Sequence, residues 1–231
     1  MLIIRGLLGG VLQVAIIAAL LLIPAWFVTG DWDWPRLWIL LAIYCVALVT
    51  MIVCLAVLAP ASLEARLRAP ASREQPREDA IATAFLLATF ALFLVFIPID
   101  VFAWQLMGAV PDGIAALGMV LFVAGYAFIG WVIYTNSFAI PIVEDQSDAG
   151  QALVDTGPYA RIRHPMYTGI LAYFGGLGLW LQSWASLLVL ALMLVALVFR
   201  IRVEEKTLRA TLPGYDDYAQ RCRWRLVPGL W

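Results

Sequence analysis

Charge is scarce in this chain. Of its 231 residues, 13% are Asp, Glu, Lys or Arg and 64% are hydrophobic, against about 25% and 45–50% in soluble domains. One soluble core cannot cover that much apolar surface with so thin a polar shell. A bilayer can, because it is itself an apolar solvent. The composition excludes a soluble domain and requires an all-α, polytopic membrane protein. The net charge of −1 gives no basis for a nucleic-acid partner.

Metal-ligating side chains are equally sparse. There is one histidine, and the three cysteines, Cys45, Cys54 and Cys222, are scattered. No C-x-x-C or Cys/His cluster exists, so no zinc or haem site is expected. The thiols read as small hydrophobes. No G-x-G-x-x-G follows a strand pattern. No internal repeat or low-complexity tract is present.

What the chain does have is six apolar runs: Leu7–Phe27, Leu37–Leu58, Ile81–Phe102, Ile114–Tyr134, Tyr167–Leu181 and Trp184–Arg200. The first four have the roughly 20 residues needed to cross a hydrocarbon core of about 30 Å. The first is longer than a signal-peptide h-region and no A-x-A site follows, so it reads as a membrane helix. The last two, separated by Gln182-Ser183, read as a short helical hairpin that crosses with tilt or local thinning, or dips in and returns. Tryptophans near the ends of these runs suit membrane interfaces.

With six crossings, 14 of the 15 basic residues fall on one side, and Arg36 alone on the other. The positive-inside rule then expects both termini in the cytoplasm. The uninterrupted helices suit a bacterial inner membrane. Pro60–Asp79 reads as a surface linker with a short helix near Ser62–Arg68. A charged helix is expected from about Glu204 to Leu212, broken by Pro213-Gly214, with a second helical stretch from Tyr215. Asp100 is expected at an interface, since ionisable groups deep in a membrane are costly. Gly175, Gly176 and Gly178 would allow close helix packing, and Gln13, Thr83 and Thr89 would bond between helices.

Two constellations could carry chemistry. In Thr156–Gly169, Gly157-Pro158 forces a turn and Pro165 suits the first turn of a helix. His164 stands just before that helix, beside backbone N–H groups able to hold an anionic group, with Arg161 and Arg163 adding positive charge. A small anionic or zwitterionic cofactor would suit such a place; a plain basic juxtamembrane loop would look the same. In Arg200-Ile201-Arg202-Val203-Glu204-Glu205-Lys206, Arg200 and Glu204 share a helix face at i, i+4. Two guanidiniums and two carboxylates beside a membrane core can orient a charged ligand, or simply form surface ion pairs.

Asn136-Ser137-Phe138, Leu153–Tyr159, Arg163-His164-Pro165-Met166-Tyr167, Arg200–Lys206 and Gly214-Tyr215 with Tyr218 together closely resemble the isoprenylcysteine carboxyl methyltransferase family, and the related phospholipid N-methyltransferases share much of the pattern. The resemblance covers about the last hundred residues. Residues 111–231 would form the methyltransferase core, and residues 1–110 match only as generic membrane helices, all within one structural domain.

The resemblance implies a membrane-embedded enzyme using S-adenosyl-L-methionine. Tyr159, His164, Pro165, Tyr167 and Gly169 would line the cofactor pocket, Glu205 would hold the cofactor's amino-acid end, and the tail from Tyr215 would cover it. Arg200 and Glu204 would be catalytic, facing a lipophilic acceptor, with Arg200 and Asn136 binding it. Either carboxylate could have the other's role. Arg200 could clamp an acceptor carboxylate, as in O-methylation of a prenylcysteine. Alternatively, Glu204 could take the proton of a phospholipid amine. Two readings of other classes are an NAD(P)H-dependent membrane sterol or lipid reductase and a non-catalytic scaffold. The oligomeric state is left open.

Overall fold

A computed structural model describes residues 1–67, 77–139 and 151–231. The chain is built of helices: α1 (Leu2–Thr29), α2 (Pro35–Leu58), α3 (Pro60–Leu67), α4 (Arg77–Ile99), α5 (Asp112–Thr135), α6 (Pro165–Trp180), α7 (Ser186–Thr211) and α8 (Tyr215–Arg221). Among the described residues there is no strand, only an isolated bridge between Ala109 and Ser183. Prolines open α2, α3 and α6, where the missing N–H leaves no helical bond unmade. Gly30 ends α1 with φ at +73° and its N–H on the Trp26 carbonyl, a left-handed cap.

Among the described residues five helices, α1, α2, α4 with its continuation to Trp104, α5 and α7, are long and apolar enough to cross a membrane. The expected count was six. The remaining apolar run forms α6, which has only 16 residues and is about 24 Å long at 1.5 Å per residue. The expected short hairpin is unequal. α7 continues without a break through the charged segment to Thr211, so the expected separate helix from Glu204 is its last turns. Arg, Glu and Lys are good helix formers, and nothing between Arg200 and Leu212 interrupts them.

α5 and α6 pack along their lengths through matched glycines seven residues apart. A Cβ on Gly125 would meet the Tyr173 nitrogen at 2.6 Å, and one on Gly118 would meet the Trp180 nitrogen at 2.8 Å. Gly176 and Gly169 answer from α6. Gly175 and Gly178 instead face Leu190 and Ser186 of α7. α4 packs on α7 and α1, and α2 on α1 and α5. The core between them is aromatic and aliphatic: Tyr44, Phe93, Phe122, Tyr173, Phe174, Leu177, Met193 and Leu197 are buried. Outward-facing Val46, Val57, Leu117, Val120 and Leu188 are exposed, as a lipid-facing surface requires.

Asp100 does not sit in open water at the interface. It opens a π turn, Asp100–Trp104, and is 2% exposed. Its carboxylate accepts from the Ser183 hydroxyl at 2.6 Å and the Leu106 N–H at 3.0 Å. Thr89 bonds the Leu86 carbonyl of its own helix rather than a neighbour.

Candidate active site

The site forms where α4, α6 and α7 meet at the basic end of the bundle. Gly157, at φ +57°, starts the 3-10 turn Gly157–Ala160, which buries Tyr159. Burial pushes the Tyr159 phenol up to about 12, so it remains a neutral donor. The segment after α8 lies along the chain entering α6. Arg163 N–H donates to the Trp224 carbonyl and His164 N–H to the Arg225 carbonyl, both at 2.9 Å. The Thr168 hydroxyl donates to the Leu226 carbonyl at 2.7 Å. The tail therefore takes up the Arg163 and His164 N–H groups, and the Tyr167 and Thr168 N–H groups in the first turn of α6, read from sequence as free for an anion, turn back to the His164 carbonyl.

Glu204 and Glu205 diverge because adjacent helical residues point about 100° apart. Glu205 faces the tail. It is 6% exposed and pairs with Arg163 at 2.8 Å and Arg225 at 3.0 Å. It also lies 3.2 Å from His164 Nε2. Arg163 in turn donates to the carbonyls of Cys222, Arg223 and Ala219, so this cluster pins the tail to α7. Glu204 faces the other way. It accepts the Tyr167 hydroxyl hydrogen at 2.6 Å, and its other oxygen is 3.8 Å from His164 Nδ1.

Tyr167 also accepts from Arg200 Nε at 2.9 Å. Arg200 Nη1 reaches Asp79 of α4 at 2.9 Å and donates to the Thr83 hydroxyl. A polar chain thus runs from Asp79 through Arg200, Tyr167, Glu204 and His164 to Glu205. It crosses from α4 to the tail inside an apolar bundle.

A cavity of about 830 Å³ opens against this chain, within the roughly 300–1,000 Å³ of small-molecule sites. Its polar end is lined by Arg66, Asn136, Tyr159, His164, Tyr167, Arg200 and Glu204; Pro165, Tyr215 and Tyr218 also line it. Its apolar end is formed by Ala84, Leu87 and Phe90 of α4, Ile129 of α5 and Ile170 of α6, with Gln13 of α1.

Two expected pocket residues are not among the lining. Gly169 faces Ile129 and the Gly125 carbonyl across the α5–α6 seam, and Glu205 is turned into the tail cluster. Arg66, Asp79 and the α4 wall were missed from sequence. A signal for Asp79 existed: it shares a buried helical stripe with Ala82, Leu86 and Phe93, so it faces inward although it stands in a charged first turn.

The fold and site define a polytopic membrane protein with a cavity that is polar at one end and apolar at the other. Residues 114–213 match the model of the phospholipid methyltransferase family, the family that includes the isoprenylcysteine carboxyl type of membrane methyltransferase. The family implies S-adenosylmethionine as methyl donor. The match begins at α5 and ends at Pro213, so α3, α4 and the tail lie outside it. The chain is also similar to a nickel-cobalt-cadmium resistance protein of Alcaligenes xylosoxydans xylosoxydans, 41% identical over 71 residues, covering 30% of this chain and 33% of the relative. A cobalt-zinc-cadmium resistance protein of Cupriavidus metallidurans is 41% identical over 71 residues, covering 30% of this chain and 32% of the relative. The match thus spans about a third of either relative's length.

Proposed function

We propose that this protein methylates the amine headgroup of a membrane lipid, with S-adenosylmethionine as donor. The observation that carries this reading is the position of Glu204. Its carboxylate lines the polar end of the cavity, held by the Tyr167 hydroxyl.

The residues fit the donor. A site for a zwitterion with an aromatic base needs both charged and aromatic walls; Tyr159, His164 and Tyr167, with Tyr215 and Tyr218 of α8, are aromatic, and Arg66, Arg163 and Glu204 line the same cavity. These residues would hold it. Glu205 would act through Arg163 and Arg225, keeping the tail over the pocket, rather than on the donor directly. When bound, the donor supplies a methyl group on a sulfonium, which departs as a neutral thioether.

The chain's own part is orientation and proton handling. The lipid tail would lie along Leu87, Phe90 and Ile170, which keeps water from the reacting end. An ammonium must lose a proton before it can attack, and Glu204 is the group positioned to accept it. Tyr167, fixed by Arg200, would restrict Glu204 to one orientation, and alignment of two reactants accounts for much of the barrier in such transfers. Asn136, in the lining of the polar end, would bond the headgroup. The excess of basic residues at this end supports a cytoplasmic site in a bacterial inner membrane, with both termini on that side.

Methylation of a carboxylate, as on a prenylcysteine, is the second reading, favoured by Arg200 in the cavity wall. The test is transfer of radiolabelled methyl from S-adenosylmethionine by purified protein in nanodiscs. Label in phosphatidylethanolamine and not in a prenylcysteine is expected. Label in the prenylcysteine alone would overturn the amine reading.

A further inference from the structure

The match to the methyltransferase family model begins only after α4, yet α4 reaches into the polar end of the cavity. Its first turns dock on the charged part of α7 at three points: Glu78 with Lys206 at 2.8 Å, Asp79 with Arg200 at 2.9 Å, and the Thr83 hydroxyl with Arg200. Beyond this dock the same helix supplies the cavity wall through Ala80, Ala84, Leu87 and Phe90.

Asp79 is 0% exposed, and the Arg200 side chain is 4% exposed. A guanidinium in a low-dielectric cavity attracts carboxylates strongly, and its planar fork suits bidentate capture. Here a carboxylate from the protein already occupies that role. Arg200 is further turned by Tyr167, which takes its Nε. The charge of Arg200 is therefore matched from within the protein, by Asp79 in direct contact and by Glu204 nearby, and Glu204 turns its carboxylate into the cavity with a neutral phenol as its closest partner.

We infer that Asp79 is a specificity-determining residue: by pairing with Arg200 it stops that guanidinium from clamping an anionic acceptor, and Glu204 then selects a cationic one. Specificity of this kind is a difference between two affinities, and a device that disfavours the wrong ligand serves it as well as one that attracts the right ligand. The inference rests on the reading that the acceptor headgroup lies between Arg200 and Glu204.

The test is calorimetric titration of the full chain in neutral detergent with two probes of one chain length, tetradecylamine and myristate. Wild type is expected to bind the amine at least tenfold more tightly. In Asp79→Asn the ratio should fall at least tenfold, through a gain of myristate affinity that loss of a mere helix brace would not produce. Thr83→Asp puts a second carboxylate beside Arg200 and should move the ratio at least threefold the other way; it is informative even if Asp79→Asn does not fold. An unchanged ratio in either folded variant overturns the inference. Methyl transfer by wild type is scored separately. A ratio that shifts as expected without any lipid being methylated would sink the functional reading and leave the charge selection standing. Amine methylation with an unmoved ratio would sink the inference alone.

Discussion

Tyr167 gives its hydroxyl hydrogen to Glu204 at 2.6 Å while accepting one from Arg200 at 2.9 Å. One phenol thereby fixes both Arg200 and Glu204, the two groups proposed to meet the acceptor. Replacing it with phenylalanine removes both bonds and almost no volume. Hydrogen bonds to charged groups are worth about 1.5–3 kcal/mol, so Tyr167→Phe should lower kcat about 10- to 100-fold. Folding should be preserved and donor KM little changed. Initial rates with labelled donor measure this, and a loss below twofold would remove Tyr167 from the mechanism.

Glu205 holds the tail. Its pairs with Arg163 and Arg225 join α7 to the segment after α8. Removing one partner of a buried pair is strongly destabilising, by about 3–5 kcal/mol. Glu205→Gln should therefore lower the melting temperature and release the tail, so that trypsin cuts faster after Arg221, Arg223 and Arg225. Glu204→Gln, facing the cavity, should leave trypsin resistance intact and lose activity. The reverse pattern would exchange the two roles.

The α5–α6 seam should tolerate nothing larger than glycine. At Gly125 an added methyl group would press on backbone at 2.6 Å, and backbone cannot step aside. Overpacking of this kind costs about 1–3 kcal/mol. Gly125→Ala should show a lower melting temperature. Gly175→Ala should be milder, because its neighbour is the tip of Leu190 at 3.3 Å. Equal effects at both positions would argue against a backbone seam.

The apolar end of the cavity should measure chain length. Leu87 and Phe90 line it one turn apart on α4. Leu87→Trp should reduce turnover of long-chain acceptors at least fivefold, with short-chain analogues spared. A uniform loss across chain lengths would mean that the tail lies elsewhere.

Much of the fold was legible because membrane helices announce themselves by length and apolarity. The shared face of Arg200 and Glu204 was legible too, since i, i+4 spacing fixes it. The split between Glu204 and Glu205 was not. Which of two adjacent residues looks into a cavity depends on how α7 is rotated, and that is set by packing against α4 and α6. Gly169 misled for a related reason: it lies in a motif dense with site residues, yet its own face belongs to the seam. Asp79 stands 121 positions from Arg200, beyond the reach of any local spacing rule. Asp100 looked interfacial because hydropathy records depth along the chain and not the loop that folds over it.

The Asp79–Arg200 pair also bears on modularity. A transplant of residues 114–213 onto other helices would carry Arg200, Tyr167 and Glu204 but leave behind the carboxylate that neutralises the first. A buried guanidinium without its counter-ion is costly, so such a chimera would have to find a new anion or distort. The catalytic segment is in this sense not a cassette. It is half of a lock whose other half is cut into a helix that bears no family signature.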